Sequence, residues 1–383
     1  MANDGPTGNL LRVAPEQPID EDDPIRAVLA AYTRDLVAAV DRTLAEFLTA
    51  EVDALSEIDA AMGEFAATAR DYVLGGGKRV RSTFAYWGWR GAVGGEQPLE
   101  PVLPALATLE LLHTFALVHD DVMDASATRR GRPTAHVAVA AQHAADGRHG
   151  DSDRFGEAVA VLIGDLCMVW ADQLLARATL PAPRLLEVRR GYDRMRVETV
   201  AGQYLDVLGE TEPANWSVDR ALRVARYKTA SYTVLRPLLF GASLAGTEDT
   251  MLIDAYTRYG RAVGEAFQLC DDLLGVYGDP DTTGKPAGDD LRTGKPTTLL
   301  MLARQLATPA QRRTLDGTGR CVDEPAIARL AEVVVDTGAV DRIERMIDER
   351  IEEALTALDT VAVDETARTA LVGLATTATR RSA

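Results

Sequence analysis

Residues 101–124 read PVLPALATLELLHTFALVHDDVMD, and the fold turns on this stretch. After Pro104 it contains neither Gly nor Pro, and its Leu, Ala, Val and Phe residues are dense enough to bury a helix on all sides. It ends in three aspartates. At about 100° per residue, Asp120 and Asp124 lie within roughly 40° of each other around the axis, so both carboxylates face one space. Neighbouring aspartates usually form a solvated face, but a solvated face does not sit inside an apolar run such as ALVHDDVM. His113 lies two turns before Asp120 and nearly in line with it.

Reading outward, the aspartates continue into HDDVMDASATRRGRPTAH, which adds Arg129, Arg130 and Arg132. A second cluster follows at 267–295, FQLCDDLLGVYGDPDTTGKPAGDDLRTGK, with Asp271, Asp272, Asp289, Asp290 and then Lys295. Magnesium usually takes one or two carboxylates plus phosphate oxygens. Arginine forks grip phosphate bidentately, and lysine supplies a point charge. Two such pairings in one chain suit a polyphosphate held between two magnesium-loaded walls. Upstream, LGGGKRVRS (74–82) sets Lys78, Arg79 and Arg81 behind three glycines that let backbone approach an anion. Lys228 and Thr229 in RYKTASY, Gln203 and Asp206 in AGQYLD, and Gln268 with Asp271 fit either a site wall or a core hydrogen-bond network.

The chain has 383 residues and a net charge of −17, which argues against a nucleic-acid partner and makes the local basic clusters conspicuous. Cys167, Cys270 and Cys321 lack metal spacing and read as buried small hydrophobes or free thiols of a reducing cytosol. Residues 1–22 carry no signal-peptide pattern, and no apolar run appears long enough to span a bilayer, so a soluble, cytoplasmic protein is expected.

Helical periodicity predominates from Pro24 onward. Residues 1–22 are expected to form a disordered tail and 23–383 one domain, a single large all-α bundle. The coarse reading places helices at 24–50, 52–74, 79–92, 101–124, 156–178, 183–210, 216–228, 230–246, 248–278 and 296–307, with shorter ones beyond 309. The amphipathic stretch after Gly338 puts Ile343, Met346, Ile347 and Ile351 on one side. The polar segment 143–155 is expected to be an exposed loop.

The ordered set GGGKRVR, HDDVMD with RRGRPT, GQYLD, YKT, FQLCDD, GKPAGDD and the GK at Lys295, spanning about residues 72–300, resembles the trans-isoprenyl diphosphate synthases (polyprenyl synthetases). The resemblance implies an isoprenoid-synthase bundle around a deep central cavity. It also implies three Mg²⁺ ions per active site with substrate bound, held by Asp120, Asp121 and Asp124 on one wall and by Asp271 and Asp272 on the other. Arg129, Lys228, Lys285 and Lys295 would contact an allylic diphosphate, with Thr229 and Gln268 beside it. Lys78, Arg81, His113 and Arg130 would hold isopentenyl diphosphate. Metal and cations stabilise the departing diphosphate, the isopentenyl double bond attacks, and a proton leaves to the released diphosphate. A homodimer is expected by the same resemblance.

Two residues depart from the family pattern: Gly275 stands where a third aspartate is usual, and Ser82 where a proline often closes the Gly-Lys motif. Phe115 and Ala116, five and four residues before Asp120, lie roughly 6–8 Å below the metal site along the helix. One aromatic and one small residue resemble the floor of a geranylgeranyl (C20) synthase, against farnesyl (C15) or longer-chain alternatives. Two readings of another kind stand beside it. A non-catalytic partner subunit would usually lose an aspartate motif, and a terpene cyclase would need one diphosphate site and not two.

Overall fold

The computed structural model describes residues 24–95, 97–129, 131–212, 216–279, 287–319 and 323–379. The expected tail at 1–22, Arg130, Lys285 and Cys321 lie outside the described residues. The architecture is all-α, apart from one two-residue ladder pairing Thr128–Arg129 with Arg132–Pro133.

Helix α4 (Leu103–Met123) is the centre of the larger core. Leu106, Leu109, Leu111 and Leu112 are fully buried, each contributing about 2 kcal/mol by area removed from water. Such all-round burial follows from its apolar composition, and its neighbours complete it. Helices α1 (Pro24–Ser56), α2 (Ala60–Leu74), α3 (Val80–Val93), α5 (Ala135–Ala145) and α6 (Ser152–Leu175) all pack on it. A second cluster lies around the C-terminal half of α10 (Thr250–Tyr277). There Leu269 and Val276 meet Leu291 of α11 (Asp289–Thr293), Leu299–Ala303 of α12 (Thr298–Leu306), and residues of α14 (Glu324–Asp336) and α15 (Ala339–Asp359). Ile343 and Ile347 are buried in that cluster, as the amphipathic pattern expected.

Several boundaries differ from the sequence reading, each for a local reason. The first break falls at Glu57–Asp59, where the Asp59 side chain accepts from the Ala61 amide and starts α2. Residues 135–145 form a helix, and His143, expected in an exposed loop, is 4% exposed against Phe155. The two helices expected at 216–228 and 230–246 are one continuous run. Helix α8 (Val218–Val224) passes through a π-helical stretch (Ala225–Leu235) into α9 (Arg236–Ala245). Contrary to the expectation of no membrane-length apolar segment, α6 is long and apolar enough to cross a bilayer by length and composition. Ala160, Ile163, Cys167, Trp170 and Leu174 on one side of it are nevertheless buried in the core, while Val161, Leu162 and Val169 face outward.

Helices α3 and α9 cross at backbone contact. A Cβ on Gly241 would stand 1.9 Å from the Ala85 carbonyl oxygen, and one on Gly88 would stand 2.2 Å from the Leu238 carbonyl oxygen. Neither obstacle is a movable side chain, so Gly241→Ala must separate the helices. It should cost about 3 kcal/mol, at the upper end of overpacking effects, in urea unfolding monitored by circular dichroism. A loss within experimental error would show that this crossing is not tight.

Candidate active site

Helix α4 ends at Met123, and Asp124 follows as its C-cap, its amide bonded to the Asp120 carbonyl. Ala125 then takes a left-handed conformation (φ 50°) that turns the chain back. The return is secured by the Ser126 amide on the Asp121 carbonyl at 2.9 Å and the Thr134 hydroxyl on the Ser126 carbonyl at 2.7 Å. The short ladder therefore lays Arg129 over the aspartates. Arg129 Nε donates to Asp121 Oδ1 at 2.6 Å and its terminal nitrogen reaches Asp120 Oδ2 at 3.5 Å. Asp121 is 4% exposed, and burial raises its pKa despite the arginine.

Two lysines from distant segments complete this wall. Lys228 Nζ, from the π-helical stretch, donates to Asp120 Oδ1 at 2.9 Å and to Asp206 Oδ2. Lys295, just beyond α11, bonds the same Asp206 oxygen at 3.1 Å and lies 3.6 Å from Asp124. Gln203 donates to Asp120 Oδ1 at 2.9 Å. Gln203 and Asp206, on α7 (Ala182–Thr211), are thus site-wall residues and not a separate core network. Gly202 beside them lets α7 touch the π-helical backbone, since a Cβ there would lie 2.3 Å from the Lys228 amide nitrogen. Burial alone would raise Asp120 and Asp206, but Lys228 and Lys295 outweigh it and hold both carboxyls below their ordinary values.

The second motif occupies the last turns of α10. Asp271 is exposed. Asp272 is 3% exposed and turned inward: its carboxylate accepts from Gln268 Nε2 at 2.9 Å and from the Thr298 amide at 2.8 Å, where α12 begins. Burial, then the charges of Asp290 and Asp271, pushes Asp272 up to about 7. A carboxyl pushed up in this way lies in a field short of positive charge, and an oxygen-only donor set suits a hard divalent cation. Among the described residues no three His, Cys, Asp or Glu side chains converge closely enough to hold an ion unaided.

The second basic patch is partly assembled around Tyr232. Arg81 lies over the Tyr232 ring at 4.0 Å and donates to the Thr233 hydroxyl at 3.1 Å, while its Nε is buried without a partner among the described residues. His113 Nδ1 is 2.8 Å from the Tyr232 hydroxyl. Lys78, three residues before Arg81, is exposed. Arg79, grouped with them on sequence, is structural: it has φ 45° at the start of α3 and is buried against Asp41, Glu110 and the Val73 carbonyl. Ser82 donates to Glu110 at 2.8 Å, a bond that the usual proline could not make. Thr229 is half-buried beside Lys228. Phe115 and Ala116 are half-buried on α4, and Phe115 stands edge-on to His119 with ring centroids 4.8 Å apart.

Tyr232 and the Thr298 amide were not found from sequence. A tyrosine four residues after Lys228 reads as core, and a backbone amide leaves no compositional signal. The π-helical register was also invisible, because it arises where α7 and α10 press on the stretch.

A family model described as polyprenyl synthetase matches residues 64–334. A geranylgeranyl diphosphate synthase of Mycobacterium tuberculosis is 34% identical over 284 residues, 74% of this chain and 75% of that protein. An octaprenyl diphosphate synthase of Escherichia coli is 34% identical over 316 residues, 81% of this chain and 87% of that protein. A solved structure of geranylgeranyl pyrophosphate synthase from Corynebacterium glutamicum, complexed with isoprenyl diphosphate and magnesium, is 42% identical. It matches with a TM-score of 0.87, covering 91% of this chain and 99% of that one. With the charged walls described above, these matches place the chain in the polyprenyl synthetase family, the all-α prenyltransferases of isoprenoid biosynthesis.

Proposed function

We propose that the protein is a magnesium-dependent geranylgeranyl diphosphate synthase, joining isopentenyl diphosphate head-to-tail to an allylic diphosphate. The observation that carries this reading is the convergence of Asp120, Asp121 and Asp124 with Arg129, Lys228 and Lys295 at one end of a buried helix. A diphosphate placed there meets three fixed cations from three separate segments. Bound magnesium would supply Lewis-acid pull on the leaving diphosphate. Arg129, Lys228 and Lys295 would orient it and stabilise its charge as the allylic C–O bond breaks, with both electrons leaving on oxygen. Arg81 and His113, set by Tyr232, would hold the isopentenyl diphosphate. Its double bond supplies the electrons of the new carbon–carbon bond, and a proton passes to the released diphosphate, so no dedicated protein base is required.

The C20 product is proposed on Phe115, which the His119 ring and its hydrogen bond to the Val161 carbonyl at 2.9 Å hold against α6. The relatives' names span geranylgeranyl and octaprenyl products, so the C20 reading is supported by Phe115 and not by those names. We place this activity on one domain running from residue 23 to 383. Cytoplasmic residence is part of the proposal, supported by the buried thiol of Cys167.

The direct test is incubation with Mg²⁺, isopentenyl diphosphate and each of dimethylallyl, geranyl and farnesyl diphosphate, sizing the products by mass spectrometry. A dominant C20 product is expected, and Phe115→Ala should shift it to C25 or longer. A C15 or a C30-plus wild-type product would overturn the pocket-floor argument, and no product from any primer would favour a partner subunit.

Cation and proton compete for Asp272. Folding raises its pKa from 3.8 to about 7, so the metal-free folded protein keeps a proton there that the unfolded chain has lost. This group therefore makes stability decline as pH rises from about 4 to about 7, with no further change above. Urea unfolding in EDTA should show that decline in the wild type and a shallower one in Asp272→Asn; identical slopes would refute it.

The homodimer is proposed on the outward faces of α6 and α7. Val161, Leu162 and Val169 on α6 and Val197, Val200, Tyr204 and Val207 on α7 are exposed, and Arg189 and Arg196 on Asp172 tie the two helices together. A second copy is the fitting occupant because Val161, Leu162, Val197 and Val200 are each more than 40% exposed, and apolar faces of this kind are covered in homo-oligomers. Light scattering should give twice the chain mass, and Leu162→Lys with Val200→Lys should halve it.

A further inference from the structure

We infer that Asp290 supplies, at the second aspartate motif, the carboxylate that position 275 does not carry. The inference rests on the proposed diphosphate chemistry and goes beyond it by assigning a residue outside that motif. Gly275 lies inside α10, where glycine has no conformational purpose and costs about 1 kcal/mol relative to alanine. Close approach accounts for it: a Cβ on Gly275 would stand 2.2 Å from Asp290 Oδ2 and 2.7 Å from its Cγ. From ordinary bond lengths, a carboxylate oxygen lies about 2.4 Å from its own Cβ. Asp290 thus holds an oxygen at the same distance from that point as an aspartate at 275 would, brought there from the opposite side of the gap.

The support for Asp290 is local and rigid. It lies in the first turn of α11, whose Leu291 is 1% exposed in the second core cluster. Its backbone carbonyl accepts from the Gly294 and Lys295 amides at 3.0 and 3.1 Å, so Asp290 and Lys295 are placed as one unit. Gly275 is therefore not a lost ligand but the space that Asp290 requires. An aspartate restored at 275 by itself would displace the Asp290 carboxylate and leave two like charges in one gap.

The test measures cation binding. Mn²⁺ is titrated calorimetrically into the full chain saturated with inorganic pyrophosphate, for wild type, Asp290→Asn, Gly275→Asp, and the pair Gly275→Asp with Asp290→Gly. Thermal unfolding confirms that each variant is folded. Asp290→Asn, nearly isosteric, should weaken Mn²⁺ about tenfold. Gly275→Asp alone should weaken it or leave it unimproved, and the paired variant should recover most of the wild-type affinity. Unchanged affinity in Asp290→Asn, or tighter binding in Gly275→Asp with Asp290 still present, would overturn the inference. A wild-type protein that binds no Mn²⁺ with pyrophosphate would instead remove the functional reading on which it rests.

Discussion

Lys228 and Lys295 both bond the carboxylate of Asp206, and the arrangement of the site depends on that sharing. Two ammonium groups on one carboxylate would repel each other if nothing else compensated them. Each therefore reaches a further aspartate, Lys228 to Asp120 and Lys295 to Asp124, so three helical segments and a loop are tied into one charge network. Because Asp206 and Asp120 are largely withdrawn from water, these attractions are stronger than their counterparts on a surface, and removing one partner would leave a buried charge. In the proposed reaction Arg129, Lys228 and Lys295 would orient the diphosphate, and Asp120, Asp121 and Asp124 would hold divalent metal.

The π-helical stretch is what allows one segment to serve two sites. Lys228 reaches the aspartate wall, and Tyr232 reaches His113 and Arg81 on the basic patch. Its flanks are pinned separately: Arg226 to Glu265 of α10 at 2.8 Å, and Ser231 to Glu198 of α7 at 2.9 Å, with Arg236 on the same glutamate. A widened turn is unfavourable by itself and persists here because packing and ion pairs on several sides determine it. The distance between the aspartate wall and the basic patch is thus set by a backbone irregularity and not by a flexible loop.

Much of this was legible along the chain. The burial of 103–123 and the shared face of Asp120 and Asp124 follow from periodicity and residue chemistry, whereas the grouping of Arg129, Lys228 and Lys295 was expected only from the family resemblance. Helix ends were less legible. The break at Asp59 depends on a side-chain cap, and helix 135–145 carries too many small residues to announce a face. Arg79 was misleading because its neighbours in sequence, Lys78 and Arg81, share its charge, yet a left-handed backbone at 79 turns that side chain into the core.

The sequence by itself determined the all-α class, the aspartate-bearing core helix and the two charged walls, because these depend on residue type at short helical spacing. The tertiary structure decided which charges meet. That Asp206 holds two lysines and that Tyr232 sets His113 are contacts between segments far apart in the chain, and Asp290 of one helix approaches Gly275 of the helix before it. No periodicity encodes such distances; they follow from how closely helices can cross, and at Gly202, Gly241 and Gly275 that closeness is set by the absence of a single carbon atom.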